Sequence, residues 1–180
     1  MCQFFSGIIT REKTVWDYDN DSREFLIEKG NLEDLSKSPD FVWVELIPRD
    51  GDVFNHNLKN WYLKIDQDFK PDWFSDEFAA KEMKKAIKQV FKKRFFVDLD
   101  EWHIVENKRV FVKNSSVKAR ENSSVVAWGN SSVKAWENSS VAVCSDSVKI
   151  KKISDLAIIR DFSGDTPKII IPKGVKVVRK

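Results

Sequence analysis

Cysteine and histidine are scarce in this chain, long apolar runs are missing, and neither sign of charge dominates. Each shortage removes a class of explanation. Two cysteines in 180 residues, Cys2 at the extreme terminus and Cys144 far along the chain, make a disulfide framework implausible. Two histidines, His56 and His103, with no cysteine at ligand spacing, supply no metal motif, so neither metal nor cofactor is expected. No apolar run approaches membrane-spanning length, and MCQFFSGIITREK has neither a basic region before its apolar residues nor a small-residue cleavage pattern. The expectation is a cytoplasmic protein with no membrane contact. Thirty-one basic residues against twenty-eight acidic ones give a net charge of +3, too balanced to demand nucleic acid and of the wrong sign for a DNA mimic. No phosphate loop, Ser/His/Asp set or paired acid stands at informative spacing.

What is abundant is order. A 42% hydrophobic content with seven Trp and thirteen Phe predicts a folded chain, and 33% charged residues predict a soluble surface. Residues 114 to 145 write one eight-residue phrase four times: NSSVKARE, NSSVVAWG, NSSVKAWE, NSSVAVCS. The chain therefore reads as an α+β domain over 1–97 followed by a short β-solenoid over 98–180, with its repeat core at 114–145 and a terminal cap.

In the first domain, Gln3 to Thr10 and Thr14 to Tyr18 have the aromatic and β-branched character of a hairpin. Asp17, Asp19 and Asp21 alternate like a cation loop, but the Gly and distal Glu of an EF-type calcium loop are missing. They fit a helix start better, with Asp21 as cap, Glu24 closing a capping box and Gly30 ending the helix left-handed. Strands follow at Asp40 to Pro48 and Trp61 to Asp66, forming a sheet packed on one face and partly covered on the other. Pro71 to Val97 predicts the longest helix, capped by Ser75 and with acids in its first turn and bases in its last. Ala79, Met83, Ala86, Ile87, Val90 and Phe91 form its buried stripe. Lys81, Lys84, Lys85, Lys88 and Lys92 line the opposite face. That face, running on to Arg94, is a candidate nucleotide or nucleic-acid surface, although the same charges serve any solvated helix.

In the repeat, the fourth and sixth places (Val117/Ala119, Val125/Ala127, Val133/Ala135, Val141/Val143) are small or β-branched and two apart, which suits the inner face of a strand. Asn at the first place suits a left-handed corner, and stacked Asn side chains can bond to their own copies. No unit buries its Val and Ala alone, so neighbours must stack. Two units per coil give a flattened sixteen-residue turn, with Arg120 above Trp136 on one face and Trp128 above Cys144 on the other. This resembles the β-solenoid of ice-nucleation proteins, whose long repeats also divide into eight-residue halves. The Thr-x-Thr rows of that family are absent, so the resemblance implies the geometry alone. Cys144 is expected to fill a Trp slot as a small hydrophobe.

Cys2 is the one candidate nucleophile. Removal of Met1 would expose a thiol beside a free α-amine, and the start loosely resembles N-terminal-nucleophile amidotransferases, which have Gly where this chain has Gln3. MCQFFSGIIT, WYLKIDQDFKPDWF and the NSSVKAWE-type tail together resemble an uncharacterised protein family of bacteriophages and prophages. That resemblance implies an accessory protein acting on a host component, in the host cytoplasm. The leading expectation is a non-enzymatic binding or assembly protein that contacts a host protein or a second copy of itself through Arg120, Trp128 and Trp136, unless that row is covered by the rest of the same chain. The alternatives are a Cys2 amidohydrolase or transferase and a nucleic-acid or nucleotide binder.

Overall fold

In the computed structural model, which describes residues 5–33, 40–154 and 156–173, the chain divides into two units, Met1–Lys93 and Arg94–Lys180. The first unit is α+β. Strand β1 (Phe5–Thr10) forms a hairpin with β2 (Thr14–Val15), pairing Ile8 with Val15 and Ile9 with Thr14. Strands β3 (Phe41–Pro48) and β4 (Trp61–Ile65) complete an antiparallel sheet of order β2-β1-β3-β4. Every residue of β1 and β3 is buried, so both faces of these central strands are covered, more fully than the sequence suggests.

Alternation assigns the two faces. Helix α1 (Arg23–Gly30) adds Leu26 and Ile27 to the side carrying Ile8, Phe41 and Trp43. On the other side lies Gly7, where an added Cβ would come within 2.6 Å of Met83 Sδ. Met83 belongs to helix α2 (Asp76–Arg94), and glycine at this point lets the thioether reach the strand backbone. The buried residues of α2 are Ala79, Met83, Ala86, Ile87, Val90 and Phe91, the six of the predicted stripe.

Three local expectations are corrected. The cap of α1 is Ser22, whose hydroxyl accepts from the Phe25 amide, because the capping oxygen must sit one residue closer to the helix than Asp21 allows. The left-handed residue at its other end is Asn31 (φ 53°), and Gly30 closes the helix itself. Helix α2 stops at Arg94. Phe95–Val97 forms β5, which pairs in parallel with β7 (Arg109–Lys113), so a partner far along the chain takes these three residues out of the helix.

The second unit is the β-solenoid. Its strands alternate between two parallel sheets. One contains β6 (Trp102–Glu106), β8 (Ser116–Arg120), β10 (Ser132–Ala135) and β12 (Lys149–Ile153). The other contains β5, β7, β9 (Ser124–Trp128), β11 (Ser140–Val143) and β13 (Ile158–Asp161). Ser116 pairs with Ser132 and Ser124 with Ser140, so each coil in the repeat is sixteen residues, two phrases long. Strand β14 (Lys168–Ile170) reverses and pairs antiparallel with β13, ending the parallel stack on that side.

The interior follows the predicted places. Val117, Ala119, Val125, Ala127, Val133, Ala135 and Val141 are fully buried, and Val143 is nearly so. Beside them runs a column of buried serines from the second place of the phrase, Ser115, Ser123, Ser131 and Ser139. Ser131 and Ser139 donate to the carbonyls of Trp128 and Trp136 (2.6 Å each), while Ser123 donates to the Val105 carbonyl of the preceding coil (2.8 Å). The Trp136 and Trp128 carbonyls also accept from the amides of Ser139 (3.1 Å) and Asn114 (3.4 Å), so what these bonds satisfy is the buried hydroxyl, which would be costly to leave without a partner.

The Asn ladder also forms. Asn138 donates to Asn122 Oδ1 (3.4 Å) and Asn122 to Asn107 Oδ1 (3.1 Å); in the other corner the Asn130 amide donates to Asn114 Oδ1 (3.0 Å). The left-handed residue, however, is the one before the Asn: Glu121, Gly129 and Glu137 have φ of 54°, 57° and 57°. Among the repeat asparagines only Asn114 (φ 51°) adopts that conformation. Both placements serve the ladder: Asn107 (φ 50°) and Asn114 lie in the bend and accept from Asn122 and Asn130, while Asn122 and Asn138 lie just past it and donate along the stack.

Candidate binding face of the solenoid

Side chains that alternate with the inner Val and Ala point away from the coil, and parallel register arranges them in rows across neighbouring strands. On the β6-β8-β10-β12 sheet one row is Trp102, Ser116, Ser132 and Lys149. The next is Ile104, Lys118, Lys134 and Lys152, so three lysines from adjacent strands stand in line; Lys151 is the extra residue of a bulge in β12. The third begins with Glu106 and Arg120 and continues to Trp136, whose amide donates to the Ala119 carbonyl at 3.1 Å.

The cations rest on the indoles. The Arg120 guanidinium lies 5.8 Å from the centre of the Trp136 ring, and Lys152 lies 5.5 Å from the same ring. Lys134 lies 4.4 Å from the centre of Trp102. These are cation–π distances. Arg120 also approaches Glu106 (3.9 Å), while Lys118, Lys134, Lys149 and Lys152 form no ion pair with any described carboxylate. Both indoles are half-buried and Arg120 is exposed.

Arg120 and Trp136 are therefore brought together as the sixteen-residue coil requires. Trp128 is not with them. It ends β9 on the opposite sheet, where its ring stacks on Phe111 (6.5 Å between centres, 28° between planes), which stacks in turn on Phe95 (4.8 Å). Phe95 and Phe111 are buried although they alternate with the inner residues, so Trp128 belongs to a packed aromatic column. Cys144 follows Trp128 on that sheet, half-buried, its amide bonded to the Ala127 carbonyl (2.9 Å). Burial, and after it the Asp161 carboxylate, pushes the thiol above its ordinary value, which suppresses the thiolate that reacts.

Trp102, Lys134, Lys152 and Lys118 were not singled out from the sequence. A usable signal lay in the fifth place of the phrase, Lys118, Val126, Lys134, Ala142, which alternates with a period of one coil. Trp102 was hidden because β6 pairs with β8 at a spacing of fourteen residues, two short of a repeat coil.

The lysine face of α2 has a different character. Lys81, Lys84, Lys85 and Lys88 border a shallow depression with Glu77 and Ala80, and Lys85 is engaged by Glu82 (2.5 Å). Lys84 and Lys88 also meet Lys59 and His56 at a second depression, beside which His56 stacks on Phe91 (4.4 Å). Lys92 is exposed one turn further on.

Cys2 lies outside the described residues. Within β1, Ser6 is buried with no partner for its hydroxyl, next to buried Glu45, which pairs across the strands with Lys64 (3.3 Å). The row resembles a nucleophile and base only in composition. Hydrogen bonds to Asp66 and then Glu45 raise the Lys64 pKa, so its amine stays protonated, and the Ser6 hydroxyl is closed to solvent. Asp17 is committed to structure: it takes the Lys29 ammonium (2.6 Å) and the amides of Asp19 and Asn20. Among the described residues no group of three His, Cys, Asp or Glu side chains is placed to hold a metal, and no helix is long and apolar enough to cross a membrane.

Comparison with known proteins finds no matching family model, no matching curated protein and no matching solved structure.

Proposed function

We propose that the protein is a non-enzymatic binding or assembly protein whose solenoid is a scaffold for one contact face, the outer side of the β6-β8-β10-β12 sheet. The observation that carries this reading is the placement of Trp136 between Arg120 and Lys152, half-open on a surface beneath which every inner position is already accounted for by packing. Aromatic and arginine side chains are the residues that most often anchor interfaces, because they bury large areas at low entropic cost. A second copy of the chain or a host protein would seat against these rings.

The test is to compare wild type with Trp136→Ser and Trp102→Ser in sedimentation equilibrium and in capture from the native host followed by native mass spectrometry. Wild type should self-associate or retain a partner, and both variants should lose it while keeping the wild-type far-UV circular dichroism. Unfolding of both variants would make the rings core residues, and undiminished association would place the contact elsewhere.

A second reading, anion binding on α2, draws on the convergence of Lys84 and Lys88 with Lys59 and His56. Lys84→Gln with Lys88→Gln should abolish binding of inorganic triphosphate if that convergence is a site.

A further inference from the structure

The solenoid face carries an excess of positive charge in a regular array. Its outward cations are Lys118, Arg120, Lys134, Lys149 and Lys152, and its outward acid is Glu106. Charge complementarity calls for an anionic partner, and the array limits its form. Lys118, Lys134 and Lys152 repeat at the strand spacing of about 4.8 Å along a line that crosses the strands. A partner that satisfies such a line needs anions repeating along a flexible chain. The rows on either side of the line contain Trp102 and Trp136, flat rings that offer stacking to planar groups.

From this juxtaposition we infer that the face binds single-stranded nucleic acid, with phosphates along the lysine row and bases against Trp102 and Trp136. The inference rests on the reading of this face as a contact surface and puts a nucleic-acid strand in place of the protein partner named there. A single strand exposes its base faces and can fit its phosphates to a flat sheet, as at other sheets that present aromatic rings. A duplex hides those faces and touches a flat sheet at few phosphates. Lys134 and Lys152 rest on the indoles. Binding exchanges each cation–π contact for a base on the ring and a phosphate on the ammonium, and base stacking is the stronger interaction with the ring.

The experiment uses the full chain and fluorescein-labelled oligo(dT) of fifteen nucleotides, read by anisotropy from 25 to 200 mM KCl. Binding should be detectable at 25 mM, and log K should fall against log salt with a slope of about −2 to −3.5, as three to five neutralised phosphates require. Lys134→Gln and Lys152→Gln should each flatten that slope by about 0.7. Trp136→Ser should weaken binding roughly tenfold with the slope unchanged, and Trp136→Phe, which keeps a ring, should retain most of the affinity.

The proposal is overturned if no anisotropy change occurs at 25 mM KCl, if the two Lys variants keep the wild-type slope, or if a fifteen-base-pair duplex binds as tightly as the single strand. Binding to phosphatidylserine vesicles without binding to oligo(dT) would instead make the face a lipid surface. Should oligo(dT) fail while Trp136→Ser still abolishes self-association or partner capture, the face is a contact surface for something other than nucleic acid. Failure of both would remove the contact face itself.

Discussion

Replacing Gly129 by alanine probes how the solenoid corner is built, because two costs meet there and one of them can be removed separately. The first is conformational. Gly129 has φ of 57°, where an L-residue costs on the order of 1 kcal/mol more than glycine. That cost is bearable, since Glu121 and Glu137 occupy the corresponding corners at nearly the same angle. The second is specific to this corner. A Cβ on residue 129 would lie 2.3 Å from Asn114 Oδ1 and 3.2 Å from its Cγ. The Asn114 side chain cannot give way freely, because its Oδ1 accepts from the Asn130 amide (3.0 Å) and its Nδ2 donates to Asp98 Oδ1 (2.9 Å). Losing two partly solvated hydrogen bonds costs about 1–2 kcal/mol. Alanine also narrows the unfolded ensemble, which returns roughly 0.4–1 kcal/mol. The net expectation for Gly129→Ala is a loss of about 1–2.5 kcal/mol.

Hydrogen exchange is the suitable assay, because a chain of two units does not guarantee a single unfolding transition. Amides of β9 and β10 should exchange roughly five- to seventyfold faster in Gly129→Ala, the factor that corresponds to that free energy. In an Asn114→Gly background, where φ of 51° is tolerated and the obstructing amide is gone, the same alanine should cost no more than about 1 kcal/mol. Equal costs in the two backgrounds would refute the assignment to Asn114 and leave backbone conformation as the whole effect.

In the first unit, Gly7→Ala should destabilise by about 1–3 kcal/mol in urea denaturation, because Met83 Sδ and Cε lie 2.6 and 2.8 Å from the new Cβ; Met83→Ala in the same chain should recover part of the loss. Asp17 is pushed up by burial, but the Lys29 hydrogen bond and the amides of Asp19 and Asn20 outweigh that and hold it below its ordinary value of 3.8. Its contribution, about 0.5–1 kcal/mol for so exposed a lysine partner, is present above pH 4 and is lost as pH falls through the folded value, so the stability gap between wild type and Asp17→Asn should be constant from pH 5 to 8 and close in acid. Cys144, in a Cys2→Ser chain, should react with iodoacetamide at pH 7.4 several times more slowly than free cysteine, with a pH–rate midpoint above 9.0; a midpoint below that value would show that the thiol is not buried as described.

The regular parts of this molecule were legible because their cause is local. Val and Ala two apart in an eight-residue phrase fix which side of each strand is inside, and the sixteen-residue coil then places Arg120 against Trp136. The α2 stripe was read without error for the same reason, since 3.6 residues per turn is a property of the helix alone. What escaped depended on partners remote in sequence or on single atoms. Phe95, Phe96 and Val97 extend the apolar pattern of α2, and only pairing with Phe111, Val112 and Lys113 turns them into a strand. The α1 cap shifted from Asp21 to Ser22 because one oxygen had to reach the Phe25 amide. In the corner, Glu, Asn and Ser adjoin in the phrase, and composition favours Asn for the left-handed place; Asn107 and Asn114 take it, whereas at the later corners Glu121, Gly129 and Glu137 do, a shift of one residue that the composition of the phrase does not reveal. For the contact face, the sequence directed attention to the seventh place of the phrase, while the lysine row at the fifth place emerged only with the sheet register.

That lysine row is also the place where the molecule departs from what stability alone would select. Like charges directly opposite on neighbouring strands repel, and Lys118, Lys134 and Lys152 are stacked in this way without carboxylates between them. On α2, by contrast, Lys85 has Glu82 one turn away, an arrangement that relieves the crowding of a basic helix face. Among the described residues the compensation for the solenoid row is the pair of indoles under Lys134 and Lys152, worth about 0.5–1 kcal/mol each at exposed sites. Glutamate or threonine at residue 134 would fit the strand without repulsion, since the inner Val and Ala, the serine column and the Asn ladder hold the coil regardless of that side chain. A scaffold whose interior is fully satisfied can carry a frustrated outer row, and frustration that the fold itself does not need marks a surface shaped by something outside it. On α2 the Glu82–Lys85 pair gives part of that relief within the helix, whereas for the solenoid row it is the proposed anionic partner that would supply it.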